Sequence, residues 1–185
     1  MTLEKPQYQL IKKENAFELR EYAPYITAQV SIIAKDHRDA ANRGFGTLAN
    51  YIFGNNVARQ KISMTSPVTA VPSSEKIAMT APVTISGEGS YIVSFSMPSQ
   101  YTMETLPQPA NEQVRLIQHP QRRMAALRFS GVFKQKNFDR QIHTLRNWIR
   151  EQNLQEMSPP VVAGYNPPIT PWFLKHNEIL IEVAN

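Results

Sequence analysis

The chain has 185 residues, 42% of them hydrophobic, and a net charge of +5, so it is long enough for one globular domain and too apolar for general disorder. With no cysteine it excludes disulfides, thiolate-bound zinc, iron–sulfur clusters and a thiol nucleophile. No stretch approaches the roughly 18 apolar residues of a membrane span, the N-terminus lacks the apolar core of a signal peptide, and the dispersed basic residues match no nucleic-acid-binding signature; a soluble, cytoplasmic protein with no specific nucleic-acid partner is expected.

The first 33 residues read as strands: Tyr8 to Lys12, Phe17 to Tyr22 and Tyr25 to Ile33 are rich in β-branched and aromatic residues. Asp36 is placed to cap a helix running to about Phe53, ended by Gly54-Asn55-Asn56. Ala41, Gly44, Leu48, Tyr51 and Ile52 recur at helical spacing and are expected to face a sheet. A second, half-apolar stripe of Arg38, Asn42, Phe45, Ala49 and Phe53 runs beside them. From Lys61 to Met97 the composition returns to strand, and Met97 to Asn111 is a Pro-rich connection. Val114 to Gln118 and Met124 to Phe129 read as a strand pair, followed by a helix from about Asn137 to Gln152.

The order strand, strand, helix, strands therefore occurs twice. Phe45, Leu48, Tyr51 and Ile52 are spaced like Ile142, Leu145, Trp148 and Ile149, and Tyr8 to Ile11 matches Val114 to Ile117 in pattern. This predicts an α+β protein in which antiparallel sheet carries two related helices. A tighter repeat lies within it: KISMTSPVT (61–69) returns as KIAMTAPVT (76–84), identical at seven of nine positions. Each copy is expected to enter as a strand and bend at its proline, as sheets do when curling toward a barrel.

These paired segments, together with the tail GYNPPITPWFLKHNE from Gly164 to Glu178, resemble the SOUL heme-binding protein family over almost the whole chain. The resemblance implies a single domain over residues 1–185. Its expected form is a distorted antiparallel β-barrel from two pseudo-repeated halves, about 7–97 and 112–184, flanked by two long helices. It further implies binding of heme b or another tetrapyrrole in a surface cleft between the first long helix and a loop near the C-terminus. By alignment, Asn42, Phe45, Ala49 and Asn50 fall on the helix side of that cleft. Pro168, Ile169, Thr170 and Trp172 fall on its loop side. The helix positions largely coincide with the stripe drawn from periodicity. The chain departs from the mammalian pattern of basic residues for the propionates, having Asn42, Asn50 and Thr170 in their place, with Arg38, Arg43 and Lys175 nearby as rim cations.

A surface residue is the default reading of all four histidines, with His37 and His176 the stronger candidates for an axial iron ligand. His119 precedes Pro120 in a predicted hairpin turn, and His143 lies on the polar face of the second helix. Met64 and Met79 read as core methionines before they read as soft ligands. Enzyme signatures such as a nucleophile elbow, a phosphate loop or a zinc-binding His-Glu-X-X-His are absent from the sequence. The reading is a non-enzymatic heme carrier or buffer, with modification of a bound tetrapyrrole left open. The alternative is a small-hydrophobic-ligand sensor or protein-interaction module of the same fold. A monomer is expected, and exposed sheet edges leave a dimer open.

Overall fold

A computed structural model describes residues 4–58, 74–131, 134–165, 171 and 174–184. The chain forms β1 (Tyr8–Glu14), β2 (Phe17–Tyr22), β3 (Tyr25–Ile33), α1 (His37–Ile52), β4 (Asn56–Val57), β5 (Val83–Glu88) and β6 (Ser90–Ser96). It continues with β7 (Gln108–Pro109), β8 (Arg115–His119), β9 (Arg122–Phe129), α2 (Gln135–Glu151), β10 (Gln155–Glu156), β11 (Val161–Gly164) and β12 (Asn177–Ala184). The main sheet runs β1-β2-β9-β12-β11-β5-β6-β3-β8, with β10 also against β12, and every pairing in it is antiparallel. A short β4–β7 pair stands apart.

The order is symmetric about the β11–β5 seam. In one half α1 follows β3, which pairs with β6; in the other α2 follows β9, which pairs with β12. The expected β8–β9 pair does not form. β8 pairs with β3 and β9 with β2, so each half lends the strand just before its helix-bearing strand to the other. Two short corners make this exchange, Ala23-Pro24 and Pro120-Gln121, and both contain a proline that cannot donate to a ladder. They lie side by side, because Tyr22 registers with Arg122 and Tyr25 with His119. The two ends of the sheet are thereby drawn together at one rim, but no ladder closes β1 onto β8. The result is a curled half-barrel. The repeat of Tyr8–Ile11 in Val114–Ile117 also changes meaning, since β8 corresponds topologically to β2 and not to β1.

One face of the sheet is covered by the helices. Asp36 caps α1 by accepting from the Asp39 N–H at 2.8 Å, and His37, Ala40, Gly44, Leu48, Tyr51 and Ile52 are buried. They meet Ile26, Ala28, Val30, Ile85, Val93 and Phe95 in one core. α2 buries Phe138, Leu145, Trp148 and Ile149 against Leu19, Ala125, Leu127, Val162, Ile179 and Ile181 in a second. The helical match found in the sequence therefore holds where it matters: Leu48 and Leu145 are both fully buried, as are Ile52 and Ile149 nearly so. No helix among the described residues is long and apolar enough to cross a membrane.

The second copy of the tandem repeat is described; the first, with Met64, lies outside the described residues. Lys76 to Met79 is not a strand: Ile77 donates to the Ile52 carbonyl at the end of α1 at 2.8 Å, the next residue, Thr80, forms an isolated bridge with Glu4, and β5 begins at Val83, after the cis Ala81–Pro82 bond. Met79 is partly buried against the first core.

α1 approaches β6 most closely at Gly44, where an added Cβ would lie 2.5 Å from Val93 Cγ2. Gly44→Ala is therefore expected to destabilise the fold by about 1–3 kcal/mol through overpacking, although alanine is preferred in an isolated helix by about 1 kcal/mol. Urea denaturation measures this, and a more stable variant would contradict the packing.

Candidate functional site

The other face of the sheet is concave and carries polar side chains at alternate strand positions, so the strands near its centre are buried on both sides. At its centre Arg20 of β2 and Glu178 of β12 form a buried bidentate ion pair, Nη1 to Oε2 and Nη2 to Oε1, both 2.8 Å. The pair crosses β9, the strand between them, where inward Ala126 leaves room; Ala163, the partner of Glu178 in register, is equally small. Glu178 also accepts from Tyr165 Oη at 2.7 Å and from His176 Nε2 at 2.9 Å. Arg20 donates further to Glu18 at 2.8 Å and to Tyr22 Oη at 3.1 Å, and its guanidinium lies over the Tyr8 ring.

Burial alone would raise the Glu178 carboxyl, but hydrogen bonds from Arg20 and His176, with the Arg20 charge, hold it far below the usual carboxylate range. Arg20 is shifted up, its desolvation outweighed by Glu178. Burial pushes the Tyr22 hydroxyl up to about 12, and burial beside Glu178 raises Tyr165 further. A carboxylate has about four acceptor positions, and this one has four donors: it is saturated.

Around this pair lies a pocket of about 200 Å³. Tyr8, Tyr22, Tyr25 and His119 form a run of neighbouring rings along it, with centroids 5.1, 6.1 and 4.9 Å apart in sequence. Thr27, Thr84, Ser86 and Ser94 supply hydroxyls, and Lys5 and Arg122 supply cations. His119 is half-buried here, stacked on Tyr25 with Nε2 2.9 Å from Thr27 Oγ1, and is not the surface histidine that its turn position implied. Burial, then the Arg122 charge, pushes its imidazole down to about 4. A wider hollow of about 410 Å³ adjoins, sharing Lys5, Pro6, Tyr25 and Ser96.

The residues expected from the sequence fall elsewhere. Arg38, Asn42 and Phe45 are exposed and Ala49 half-buried along the strip of α1 next to its buried face. Phe45 is 38% exposed, its ring edge-on to Phe95 at 5.3 Å, and Phe53 at the C-cap is 60% exposed. Arg43 and Asn50 are exposed but lie about 100° or more round the helix from the strip's centre. Arg43 donates to the Ile33 carbonyl at 2.6 Å and sits 3.9 Å from Asp39. Pro168, Ile169, Thr170 and Trp172 lie outside the described residues; Lys175 is half-buried.

Neither ligand candidate stands on the strip. His37 is buried where the two helices meet, with Nδ1 2.7 Å from Gln135 Oε1 and its ring between Tyr91 and Phe138. His176 is on the concave side, stacked on Tyr165 at 4.3 Å. Among the described residues no group of three or more His, Cys, Asp or Glu is placed to hold a metal ion.

The concave pocket was not singled out from the sequence. Its signal was available in β2, FELREY, where Glu18 and Arg20 alternate with Phe17 and Leu19, and in the last strand, where Glu178 and Glu182 fall on one face of an otherwise apolar run. A charge inside a sheet buried on both faces needs a partner.

The architecture is a helix-backed half-barrel with a polar concavity, and the comparisons with known proteins agree in fold. The family model described as SOUL heme-binding protein matches residues 3–182. The chain belongs to the SOUL heme-binding protein family. It is 26% identical to human heme-binding protein 2 over 173 residues, covering 88% of this chain and 80% of that protein. It is 25% identical to heme-binding protein 1 of Xenopus laevis, covering 88% and 85%. Among solved structures it resembles the EcmrR C-terminal domain with a TM-score of 0.61 at 13% identity, covering 96% of this chain and 98% of that one. An uncharacterized conserved protein from Listeria innocua aligns with a TM-score of 0.60 at 9% identity, covering 92% and 93%. Both structural likenesses speak for the fold alone.

Arg20→Met, which leaves Glu178 buried without its counter-charge, is expected to cost about 3–5 kcal/mol in urea denaturation. Arg20→Met with Glu178→Leu is expected to recover part of that loss; an equal or larger loss would mean that the pair is not the dominant contact.

His119 also sets a direction with pH. Its folded value near 4 lies below its ordinary 6.5, so between those pH values the unfolded chain binds the proton that the folded one refuses. Stability is expected to fall as pH drops through 6.5 toward 4, with the carboxylates adding to the loss below about pH 5, and to fall less between 6.5 and 5 in His119→Gln. Thermal denaturation across pH 4–7 tests this, with the His119 ring resonance titrating near 4.

Proposed function

We propose that the chain binds heme on the α1 strip and carries or buffers it without transforming it. The carrying observation is the exposed aromatic pair Phe45 and Phe53, eight residues apart on one strip with Ala49 between them. On a helix that spacing spans about 12 Å, enough to lie along a tetrapyrrole face. Family membership and relatives named for heme binding support the ligand class. Arg38, exposed at the N-terminal end of the strip and with no ion pair among the described residues, suits a propionate. The concave pocket has a polar and charged lining around the Arg20–Glu178 pair, which suits the apolar faces of a tetrapyrrole less well than the helix strip does. The apolar ring faces supply most of the affinity. His37 and His176, both held by packing and hydrogen bonds away from the strip, do not ligate the iron in this reading.

Hemin titration followed through the Soret band tests it. Saturable one-to-one binding is expected, weakened about 10- to 100-fold by Phe45→Asp, the equivalent of burying one phenylalanine. Metal-free protoporphyrin is expected to bind within a few-fold of hemin, and His176→Ala to leave the ferric spectrum unchanged. Nonsaturating uptake indifferent to Phe45→Asp would overturn the site. A spectrum that changes with His176→Ala or His37→Ala would assign the iron to that histidine.

A further inference from the structure

The concave pocket is a second site, and its unsatisfied chemistry is cationic. Its one central carboxylate, Glu178, already accepts from Arg20 twice and from Tyr165 and His176. It has no acceptor position left for an incoming cation. Arg20 is likewise consumed, by Glu178, Glu18 and Tyr22. Two other lining cations are not. Arg122 donates to Tyr25 and makes a loose 3.4 Å contact with Glu182, while its Nε is buried with no hydrogen-bond partner among the described residues. A guanidinium has five donors, and this one is the only buried side-chain group among the described residues left short of a partner. Lys5, at the mouth, lies 5.0 Å over the Tyr165 ring and has no acidic partner among the described residues.

The remaining lining divides by chemistry. Tyr22, Val161 and Leu180 give aromatic and apolar lining, Thr27 and Ser94 give hydroxyls, and the Tyr25 ring already carries His119, stacked at 4.9 Å, and the Arg122 guanidinium at 5.2 Å. An aromatic and apolar lining suits a ring, and two cations with spare donors suit a carboxylate. A volume of about 200 Å³ limits the ligand to one ring with its substituent.

We propose that this pocket binds a small aromatic carboxylate, its ring against Tyr22, Val161 and Leu180 and its carboxylate taken by Arg122 and Lys5. The site is separate from the heme strip, since it occupies the opposite face of the sheet.

Benzoate is the probe, with benzylamine as the cation of similar size and benzyl alcohol as the neutral ring. Binding to the full chain is followed by calorimetry and by two-dimensional NMR. Benzoate is expected to bind saturably, with benzylamine at least tenfold weaker and benzyl alcohol between them, and to shift the resonances of Thr27, Ser94 and Tyr165. Lys5→Gln, at an exposed position, is expected to weaken benzoate about two- to fivefold, and Arg122→Gln about tenfold or more. Should Arg122→Gln fail to fold, Lys5→Gln and the shift map decide alone. Benzylamine binding as tightly as benzoate would overturn the proposal, as would benzoate shifts confined to the surface of α1 or absent from the pocket. Unchanged hemin binding in the presence of saturating benzoate separates this site from the helix strip; competition between them would overturn the two-site arrangement.

Discussion

The fold turns on a salt bridge placed where a sheet ordinarily keeps apolar residues. Arg20 and Glu178 are 158 positions apart in sequence, and their pairing ties β2, lent by the N-terminal half, to β12, the last strand of the other. β9 lies between them and carries alanine at the crossing point. Because the two charges satisfy each other and also engage Tyr22, Tyr165 and His176, they cost much less to bury together than either would alone. Moving β2 by one residue along β9 would send Arg20 into the core under α2 and bring Leu19 to the concave face. The pair therefore acts as a register lock on the strand exchange, in addition to whatever stability it adds.

That exchange explains why the two faces of the sheet do different work. The helices α1 and α2 cover one side of the sheet, and their cores are built from aliphatic and aromatic residues at alternate strand positions. The residues between them in sequence point into the concavity, which nothing in the described chain fills. The strip proposed for heme is a property of α1 and its exposed phenylalanines; the pocket is a property of the sheet. A ligand on one need not touch the other.

Much of this was legible in the sequence because it rests on local periodicity. Asp36 caps α1 as its chemistry demands, and the helix ends at Ile52 with Phe53 as its C-cap. Leu48, Tyr51 and Ile52 find their burial repeated by Leu145, Trp148 and Ile149. What was not legible depends on pairing at a distance. β8 and β9 are separated by a short Pro-containing corner, which reads as a hairpin unless the exchange with β2 and β3 is known. Lys76 to Met79 has strand composition but no ladder partner among the described residues. Of the candidate residues, Arg38, Asn42, Phe45 and Ala49 share one strip of α1 as their spacing requires, whereas His37 looked like the exposed start of a helix until α2 was placed beside it, with Gln135 and Phe138 over the ring. The pocket was hidden for a related reason: alternating charge in β2 is the pattern of a strand facing water, and only a curled sheet turns that face inward.

Arg20 also sets the sign of the pocket. Without it, Glu178 would be a carboxylate in a low-dielectric concavity ringed by tyrosines, an arrangement that attracts cations through both charge and ring faces. With it, the carboxylate is neutralised at 2.8 Å by two parallel hydrogen bonds, and the lining cations without full partners are Arg122 and Lys5. A single arginine on β2 thus converts the half-barrel's interior from cation-seeking to anion-seeking while leaving the strands in place. Which small molecules this pocket admits is then decided less by its shape than by Glu178 already having Arg20 as its partner.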